Sequence, residues 1–558
     1  MARTDYATVL ADLPRERTQL LPALRAIHAA ESYLSADGLR AVARHLFMPE
    51  STVYGIATSY NELRLEQPHG RVVGVCTCLS CRQHGAHELL AAARSLADEV
   101  GGCTVVEHEC LFICDAGPVA EVDGRCITGA TPERLRAALA SPEPPPHPVR
   151  PVRDPRPPEV RRVLRRCDTV DPLSLESARA AGGYQALARA QALGPLAVIR
   201  LLDTSRLRGR GGAYFPLDIK LQTARRYAGP RYYVVNAEEG EPGVSKDRYL
   251  MEYDPHLLVE GMQIAALALE AARIFLYING QADLAAERMG LALEQAQASD
   301  LLPVPVEVRR GAGGYVCGEE SVILNSIEGH RAEPRLKPPL PVEQGLWGQP
   351  TVISNVETLC NVPLIVQHGR RWYRTVGTKD FSGTKVISLG GAVRRPGTYE
   401  VPFGTTIRTI VEDLGGGAHE GRQLRAVLCG GPSGGLIPAD RLDIPIAGGP
   451  LADTHAMLGA GGMVVVDDRL PIIEAVEHLS AYNARESCGK CTPCREGMAH
   501  MTRLIGDVRR GAADPLALAQ LDALPEVITG ASLCGLGQAA PMPYLSLRRN
   551  FPDELPRP

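Results

Sequence analysis

Glu486-Ser487-Cys488-Gly489-Lys490-Cys491-Thr492-Pro493-Cys494-Arg495-Glu496-Gly497 places three thiols with two residues between neighbours, and a fourth follows at Cys534. At that spacing one turn of backbone can aim three thiolates at a single inorganic cube whose coordination a distant fourth closes, which is the chemistry of a [4Fe-4S] cluster. Structural zinc is the alternative, since tetrahedral thiolate sites share the two-residue spacing, but zinc takes its cysteines as two separated pairs. The three-plus-one arrangement favours iron. Lys490, Arg495 and Arg485 add positive charge, which would favour the reduced cluster. The stretch reads as a one-electron relay.

A second thiol group lies near the start of the chain, in Cys76-Thr77-Cys78-Leu79-Ser80-Cys81 and Cys110-Leu111-Phe112-Ile113-Cys114. Cys76 and Cys81 enclose four residues and Cys110 and Cys114 enclose three. Each pair follows a β run, so the two can converge on one [2Fe-2S] cluster. The spacing is untidy for zinc. A dithiol at Cys78 and Cys81 is the other alternative, and it leaves Cys76, Cys110 and Cys114 without a role. Cys103 and Cys126, and the isolated Cys167, Cys317, Cys360 and Cys429, are expected to be ordinary buried cysteines.

Between these groups stands a glycine-rich loop, Leu207-Arg208-Gly209-Arg210-Gly211-Gly212-Ala213-Tyr214-Phe215-Pro216, whose amides and arginines suit a phosphate. Such loops are also common punctuation. Two acidic, glycine-rich segments follow, Asn236-Ala237-Glu238-Glu239-Gly240-Glu241-Pro242-Gly243 and Gly311-Ala312-Gly313-Gly314-Tyr315-Val316-Cys317-Gly318-Glu319-Glu320. A charge run is usually a solvated loop. Two of them leaving the carboxyl ends of neighbouring strands point instead to a ligand site.

The elements that must position these residues are legible in outline. At 558 residues the chain is several domains. A net charge of -4 with mixed signs argues for neither nucleic acid nor an anionic membrane. Fifteen cysteines concentrated in two clusters indicate metal-ligand thiols in a reducing compartment. The opening Met-Ala-Arg-Thr-Asp-Tyr has no apolar signal core. The most apolar run, Leu257 to Ile278, is broken by Glu260, Glu270 and Arg273, so no membrane insertion is expected. A cytoplasmic protein is expected. Helical spacing over 18–65, with Ser35 and Ser51 as caps, predicts a small helical segment. β runs at Arg71 to Val75 and Thr104 to Glu107 flank a helix from Gly85 to Glu99. Proline fills half of Ser141 to Pro158, which predicts an extended, semi-rigid connector. Strands at Tyr232 to Asn236, Ile274 to Ile278 and Val304 to Val308 alternate with helices at Pro255 to Ala272 and Ala282 to Ala298, the signature of a parallel sheet covered by helices. Short strands and glycine turns fill Lys385 to Val466, and helical periodicity returns from Pro471 to Thr529.

Val53-Tyr54-Gly55-Ile56-Ala57-Thr58 and the two N-terminal cysteine pairs resemble, over about residues 15–140, the 24-kDa-type subunit of respiratory complex I. The glycine loop, the two acidic segments, Pro334-Arg335-Leu336-Lys337-Pro338-Pro339 and Ser354-Asn355-Val356-Glu357-Thr358 resemble, from about Val198 to the C-terminus, its 51-kDa-type flavoprotein subunit. The resemblance implies a multidomain α/β chain: a helical segment (1–69), a thioredoxin-like [2Fe-2S] domain (70–140), the proline-rich linker (141–158), an FMN/NAD-binding α/β domain (159–375), a ubiquitin-like β-grasp domain without catalytic residues (376–470) and a helical [4Fe-4S] domain (471–558). It implies Cys76, Cys81, Cys110 and Cys114 as [2Fe-2S] ligands, with Cys78 outside that set, and Cys488, Cys491, Cys494 and Cys534 as [4Fe-4S] ligands. FMN would lie against Gly209, Arg210, Gly211, Gly212, Lys220, Asn236, Glu238, Glu239, Tyr315, Gly318, Glu319 and Asn355. NAD(H) would stack on Phe215 and approach Glu320 and Lys337. Tyr214, Glu238 and Ser354 stand where the family has glycine, aspartate and asparagine, and Tyr214 is expected to crowd the nucleotide channel or shift cofactor preference.

FMN accepts a hydride as two electrons and releases them singly, and clusters carry one at a time, so these parts make an NADH:acceptor oxidoreductase (diaphorase) that needs no acid–base dyad or nucleophile. Ala531-Ser532-Leu533-Cys534-Gly535-Leu536-Gly537-Gln538-Ala539-Ala540 and the tail Asn550-Phe551-Pro552-Asp553 look more like the diaphorase subunits of soluble NAD-dependent formate dehydrogenases than like complex I itself, and related bidirectional hydrogenases share part of that tail. The implied partner is a large molybdenum- or tungsten-dependent catalytic subunit; an NAD-reducing hydrogenase or a fused complex I input arm is the alternative. A zinc-stabilised scaffold without flavin is the reading from a different class, and colour separates it, since flavin with iron–sulfur clusters is brown and bleaches with NADH.

Overall fold

The computed structural model describes residues 4–148, 150, 153–447 and 449–555. Helices Leu20–Glu31, Ala36–His45 and Glu50–Ala57 bury Leu20, Leu24, Ile27, Val42 and Val53, one apolar stripe at helical spacing. Ser35 caps the second helix, its Oγ accepting from Gly38 N at 2.9 Å. Ser51 does not cap: the third helix starts one residue earlier, from extended Pro49. The stripe closes against Ala312, Val316, Cys317 and Val322, far along the chain.

Glu62 follows these helices, and burial raises its carboxyl to about 7, with Arg25, 3.9 Å away, opposing. The folded chain then holds more protons here than the unfolded chain between pH 4.5 and 7, so this group's contribution to stability is lost as pH rises through that window. Glu62→Gln is expected to unfold about 2–4 °C above the parent at pH 8 and level with it at pH 5 in thermal melts.

The next sheet has the order β2-β1-β3-β4: β1 (Arg71–Cys76) pairs parallel with β2 (Cys103–His108) and antiparallel with β3 (Val119–Val122), which turns into β4 (Arg125–Thr128). Helix Ala86–Val100 makes the crossover that a parallel pair requires. Asp123 and Gly124, with φ of 51° and 80°, form the hairpin turn whose left-handed residues match strand twist.

No described residue from 141 to 158 is helical or in a strand, in line with the proline content. The segment is nonetheless anchored. Arg150 is buried and donates to Ser245 O at 3.1 Å, and Tyr253 Oη donates to Arg150 O at 2.7 Å. The Arg153 guanidinium stacks 3.6 Å above the Tyr399 ring and donates to Thr398 O.

β5 (Arg231–Ala237), β6 (Ala271–Ile278), β7 (Val306–Arg310) and β8 (Thr351–Asn355) form an all-parallel sheet in the order β7-β6-β5-β8. Helix Pro255–Leu269 is buried almost all round, so the longest apolar run of the chain is a core helix leading into a core strand. The loops after β5 and β7 and the start of helix Val356–Tyr373 all leave the carboxyl edge of this sheet, where ligands of such folds bind. A mixed sheet follows, β10-β9-β13-β11-β12, from β9 (Thr384–Gly391), β10 (Gly397–Pro402), β11 (Leu424–Cys429), β12 (Gly435–Pro438) and β13 (Gly462–Asp467). Helices Ile472–Arg485, Thr492–Arg509, Pro515–Ala531, Gly535–Ala539 and Met542–Asn550 complete the chain. Among the described residues no helix is long and apolar enough to cross a membrane.

Candidate flavin and cluster sites

The floor at the carboxyl edge of the parallel sheet is a buried ion network. Lys246 Nζ lies 2.7 Å from Asp247 Oδ1 and 3.3 Å from Glu357 Oε2, and Lys385 Nζ lies 2.5 Å from the same Glu357 oxygen. Val386 N donates to Glu357 Oε1 at 2.9 Å and Asn355 Nδ2 to Asp247 Oδ2 at 2.6 Å. Burial opposes the charge on Lys246, but Asp247 and Glu357 outweigh it and hold that ammonium above the ordinary lysine range. Burial brings Lys385 down to about 8 in spite of Glu357. Lys385 comes from β9 of the mixed sheet, so that sheet, expected to stand apart from the chemistry, supplies part of the floor.

Above this floor stand the carboxylates. Glu239 accepts from Asp247 N at 2.6 Å and Arg248 N at 2.8 Å, and burial beside Asp247 raises it to about 7. Glu238 is fully buried and accepts from Asn279 Nδ2 through one oxygen, while its other oxygen has no protein partner. Burial, with Glu62 nearby, holds Glu238 well above the usual carboxylate range. Asn236 Nδ2 donates to Gly318 O at 2.9 Å, tying the β5 loop to the β7 loop. Tyr315 is held from a third side, where its N–H donates to Glu486 Oε2 at 2.5 Å; Glu486 Oε1 in turn accepts from Asn61 Nδ2.

An open face adjoins this floor. Lys337 Nζ bonds Glu319 Oε1 at 2.7 Å and Glu320 Oε1 at 2.8 Å, and Lys220 Nζ lies 3.5 Å from Glu320 Oε2 and donates to Ile353 O. Phe215 keeps 48% of its surface exposed, a large share for an aromatic ring and one that leaves a stacking platform.

The glycine loop is held differently from expectation. Arg210 is fully buried, its guanidinium donating to Thr384 O, Arg208 O, Ser382 O and Tyr373 Oη, and its amide donates to Thr358 Oγ1. Arg208 donates to Asp380 O and Tyr214 O. Both arginines fasten the loop to neighbouring segments through carbonyl and hydroxyl oxygens. Among the described residues the Gly211 and Gly212 amides have no protein acceptor. A side chain at Gly211 would meet Asn355 at 3.0 Å, and Gly212, at φ 118°, lies against Gly459 and Ala460. Tyr214 does not crowd the open face: its ring packs edge-on against Phe381 and Phe403, and its Oη donates to Gly459 O at 2.9 Å. Its φ of 53° is where a glycine would be unstrained, and the aromatic packing offsets the difference.

The N-terminal thiols meet in one place. The sulfurs of Cys76, Cys78 and Cys81 all lie within 4.8 Å of one another, as do those of Cys78, Cys110 and Cys114. Cys110 Sγ is 3.4 Å and Cys78 Sγ 3.9 Å from Cys114 Sγ. Cys114 Sγ also accepts from Gly243 N at 3.3 Å, a bond from the β5 loop of the parallel sheet. Ser80 Oγ donates to Cys114 O and accepts from Gly391 N, which fixes the same thiol loop to β9. Cys78, expected outside the ligand set, belongs to both triads.

At the other group, Cys491 is the N-cap of helix Thr492–Arg509, Cys494 lies in its first turn and Cys534 is the N-cap of Gly535–Ala539. Gly537 lets the two helices approach, since a Cβ there would sit 3.1 Å from Cys494 Cβ. Burial pushes the Cys494 thiol up to about 11. The cations expected to favour the reduced cluster are all paired: Lys490 with Glu333 at 3.0 Å, Arg485 with Glu109 at 2.5 Å and Arg495 with Glu496 at 2.8 Å. Their field at the thiols is correspondingly reduced. Cys103 and Cys126 are half-buried, while Cys167, Cys317, Cys360 and Cys429 are buried as expected.

Four family models match in chain order: a thioredoxin-like [2Fe-2S] ferredoxin over 6–143, a Nuo51 FMN-binding domain over 202–364, an SLBB domain over 386–437 and an NADH-ubiquinone oxidoreductase-F iron-sulfur binding region over 474–557. The second NADH-quinone oxidoreductase F subunit of Rhizobium meliloti (strain 1021) is 41% identical over 405 residues, 70% of this chain and 96% of that one. The chain belongs to the family of NADH-quinone oxidoreductase F subunits. NADP-reducing hydrogenase subunit HndC of Solidesulfovibrio fructosivorans is 38% identical over 71% of this chain and 83% of its own. Along nearly the whole length, 97% of this chain and 93% of the other, the fold matches a chain of the H2-reduced crystal structure of NAD+-reducing [NiFe]-hydrogenase, with a TM-score of 0.85 and 31% identity.

As a member of this family the chain is an NADH dehydrogenase with FMN, a [2Fe-2S] and a [4Fe-4S] cluster. The residues present fit these groups. The unpartnered Glu238 oxygen and the Gly211 and Gly212 amides offer polar contacts that the protein does not satisfy itself, and both thiol groups are of the soft type that iron–sulfur clusters take. Lys246, Asp247 and Lys385 were not legible as site residues. Lys385, the one charged residue of strand Thr384–Gly391, is the signal that could have drawn attention.

Proposed function

We propose that the chain is the NAD(H)-facing subunit of an NAD-dependent formate dehydrogenase, passing electrons between nicotinamide and a large molybdenum- or tungsten-containing partner. The observation that carries a relay is that both thiol loops are bonded to loops at the flavin edge, Cys114 to Gly243 N and Glu486 to Tyr315 N. FMN, when bound, takes the hydride as an electron pair and gives electrons up singly. In this reading Gly209, Gly211, Gly212, Lys220, Asn236, Glu238, Glu239, Tyr315, Gly318, Glu319 and Asn355 hold the flavin, and Arg210 keeps the glycine loop in place. Phe215 provides the stacking face for nicotinamide, with Glu320 and Lys337 beside it. Cys76, Cys81, Cys110 and Cys114 ligate one cluster and Cys488, Cys491, Cys494 and Cys534 the other.

The formate partner is supported by the Ala531 to Ala540 stretch and the Asn550 to Asp553 tail. A hydrogenase partner is the second reading, favoured by the whole-length likeness to the NAD+-reducing enzyme. Anaerobic purification of the native complex decides between them: molybdenum or tungsten with formate-driven NAD reduction supports the first, and nickel with hydrogen-driven reduction replaces it with the second. Lys337→Ala is expected to raise the KM for NADH about tenfold, a loss of about 1.4 kcal/mol, in dye reduction, with iron and flavin content unchanged. Unaltered kinetics would remove Lys337 from the nucleotide face.

A further inference from the structure

We infer that Tyr214 is a latch that closes the glycine loop onto the mixed sheet and thereby sets how long the flavin stays bound; the inference rests on the placement of the flavin against Gly211 and Gly212. The loop is a hairpin, bridged between Arg208 and Pro216 and closed by Gly209 N donating to Phe215 O at 2.9 Å. Its tip is confined on two sides. A Cβ at Gly211 would begin 3.0 Å from Asn355 Cβ, and one at Gly212 would begin 3.4 Å from the Gly459 backbone. Gly459 and Ala460 lie in the turn that enters β13, so the tip rests on the mixed sheet. Tyr214 bolts the two together. Its Oη donates to Gly459 O at 2.9 Å, and its ring meets Phe381, just before β9, and Phe403, just after β10, at centroid distances of 5.8 and 6.0 Å. Glu241 of the β5 loop reaches the same turn, with Oε1 3.2 Å from where a Gly459 Cβ would begin. One turn of the mixed sheet thus steadies two of the loops that face the flavin.

A residue other than glycine keeps a positive φ only where its surroundings over-determine it. Tyr214, at φ 53°, is such a residue, and the two rings and the carbonyl that hold it come from the mixed sheet and its flanking turns. Glycine, which the resembled subunits carry here, would be unstrained but would make none of these contacts. The tyrosine exchanges backbone freedom for a fixed loop. A loop already held in its bound shape needs no ordering when a ligand arrives, and it opens less readily while the ligand is there. Tyr214 is therefore a positioning residue that acts through the Gly211 and Gly212 amides.

The test follows release of FMN from the full, flavin-loaded chain on dilution, by the fluorescence of the free flavin, with iron per chain as the control for folding. Tyr214→Gly is expected to release FMN about tenfold faster than the parent, and Tyr214→Phe, which keeps the ring and loses only the hydroxyl bond, about threefold faster. A merely structural role would lower the melting temperature of Tyr214→Gly without altering release well below it, and parent-like release at normal iron content overturns the latch. Gly211→Ala, expected to release FMN faster than the parent, tests the placement of the flavin separately. Fast release from Gly211→Ala beside parent-like release from Tyr214→Gly removes the latch and leaves that placement standing. Parent-like release from Gly211→Ala takes the flavin away from this loop, and the latch falls with it. If Tyr214→Gly loses its iron, Phe381→Ala, which removes one ring partner and leaves the loop sequence intact, is read in the same way: faster release supports the latch and parent-like release overturns it.

Discussion

With the proposed formate partner, Cys491→Ala is expected to cut formate-driven NAD reduction by the reconstituted complex more than about 100-fold while leaving NADH-to-dye reduction within about twofold. In the proposed site, hydride transfer draws on Phe215, Lys220, Glu320 and Lys337, and the hydrogen bonds and ion pairs of Lys220, Glu320 and Lys337 run to Ile353, Glu319 and one another, away from the Cys488 loop. Traffic to the partner needs a one-electron relay. The two activities therefore separate at this cysteine. The Cys488 loop also carries Glu486, which holds Tyr315 N, so cluster loss can disturb the flavin loop as well. FMN content and complex assembly measured on the same preparation distinguish the two effects. A folded variant without the [4Fe-4S] cluster that retained full formate-to-NAD activity would refute the relay.

The second large effect is expected at Lys385, which no motif marks. Lys385→Met leaves the buried Glu357 carboxylate facing Lys246 alone, and removing one partner of a buried pair costs about 3–5 kcal/mol. Because Asp247 and Asn355 belong to the same network, the loss is expected to reach the flavin: FMN affinity should fall about 100-fold or more, read by fluorescence titration of the deflavinated chain. Glu357→Gln alone should also weaken FMN, and Lys385→Met/Glu357→Gln should recover some of the loss, since the pair is then neutral on both sides. Parent-like flavin affinity in Lys385→Met with normal iron content would exclude the floor from flavin binding.

The features legible in the sequence were those whose signal is local. Cysteine spacing announced both thiol groups, alternation of strands and helices announced the parallel sheet, and proline announced the connector. The hairpin of β3 and β4 could have been found from Asp123-Gly124, the turn that a right-handed twist selects. Ser51 misled because a capping residue type needs only to be near a helix start to look like a cap. What could not be read was long-range. The arginines of the glycine loop suggest phosphate only until Thr384, Ser382 and Tyr373 are known to surround Arg210. Tyr214 looked obstructive beside Phe215, and only the fold turns its ring toward Phe381 and Phe403. The floor joins Lys246, Glu357 and Lys385 from three separated stretches, and spacing carries no trace of such a meeting. Cys78 was visible as an extra thiol, but its place in both triads depends on how the Cys110 loop folds over it.

The anchored connector has a further consequence. Arg150 and Arg153 hold the segment between the two resembled subunits against the Ser245–Tyr253 stretch and the mixed sheet, so the N-terminal module is tethered beside the surface it contacts. Docking of Cys114 onto Gly243 is then an intramolecular event, governed by an effective concentration of millimolar order instead of by the amount of protein in solution. The Gly243–Cys114 junction should survive dilution that would dissociate a pair of separate chains. Stoichiometry between the modules is fixed at synthesis, with no free flavin module left to discharge electrons without its [2Fe-2S] neighbour.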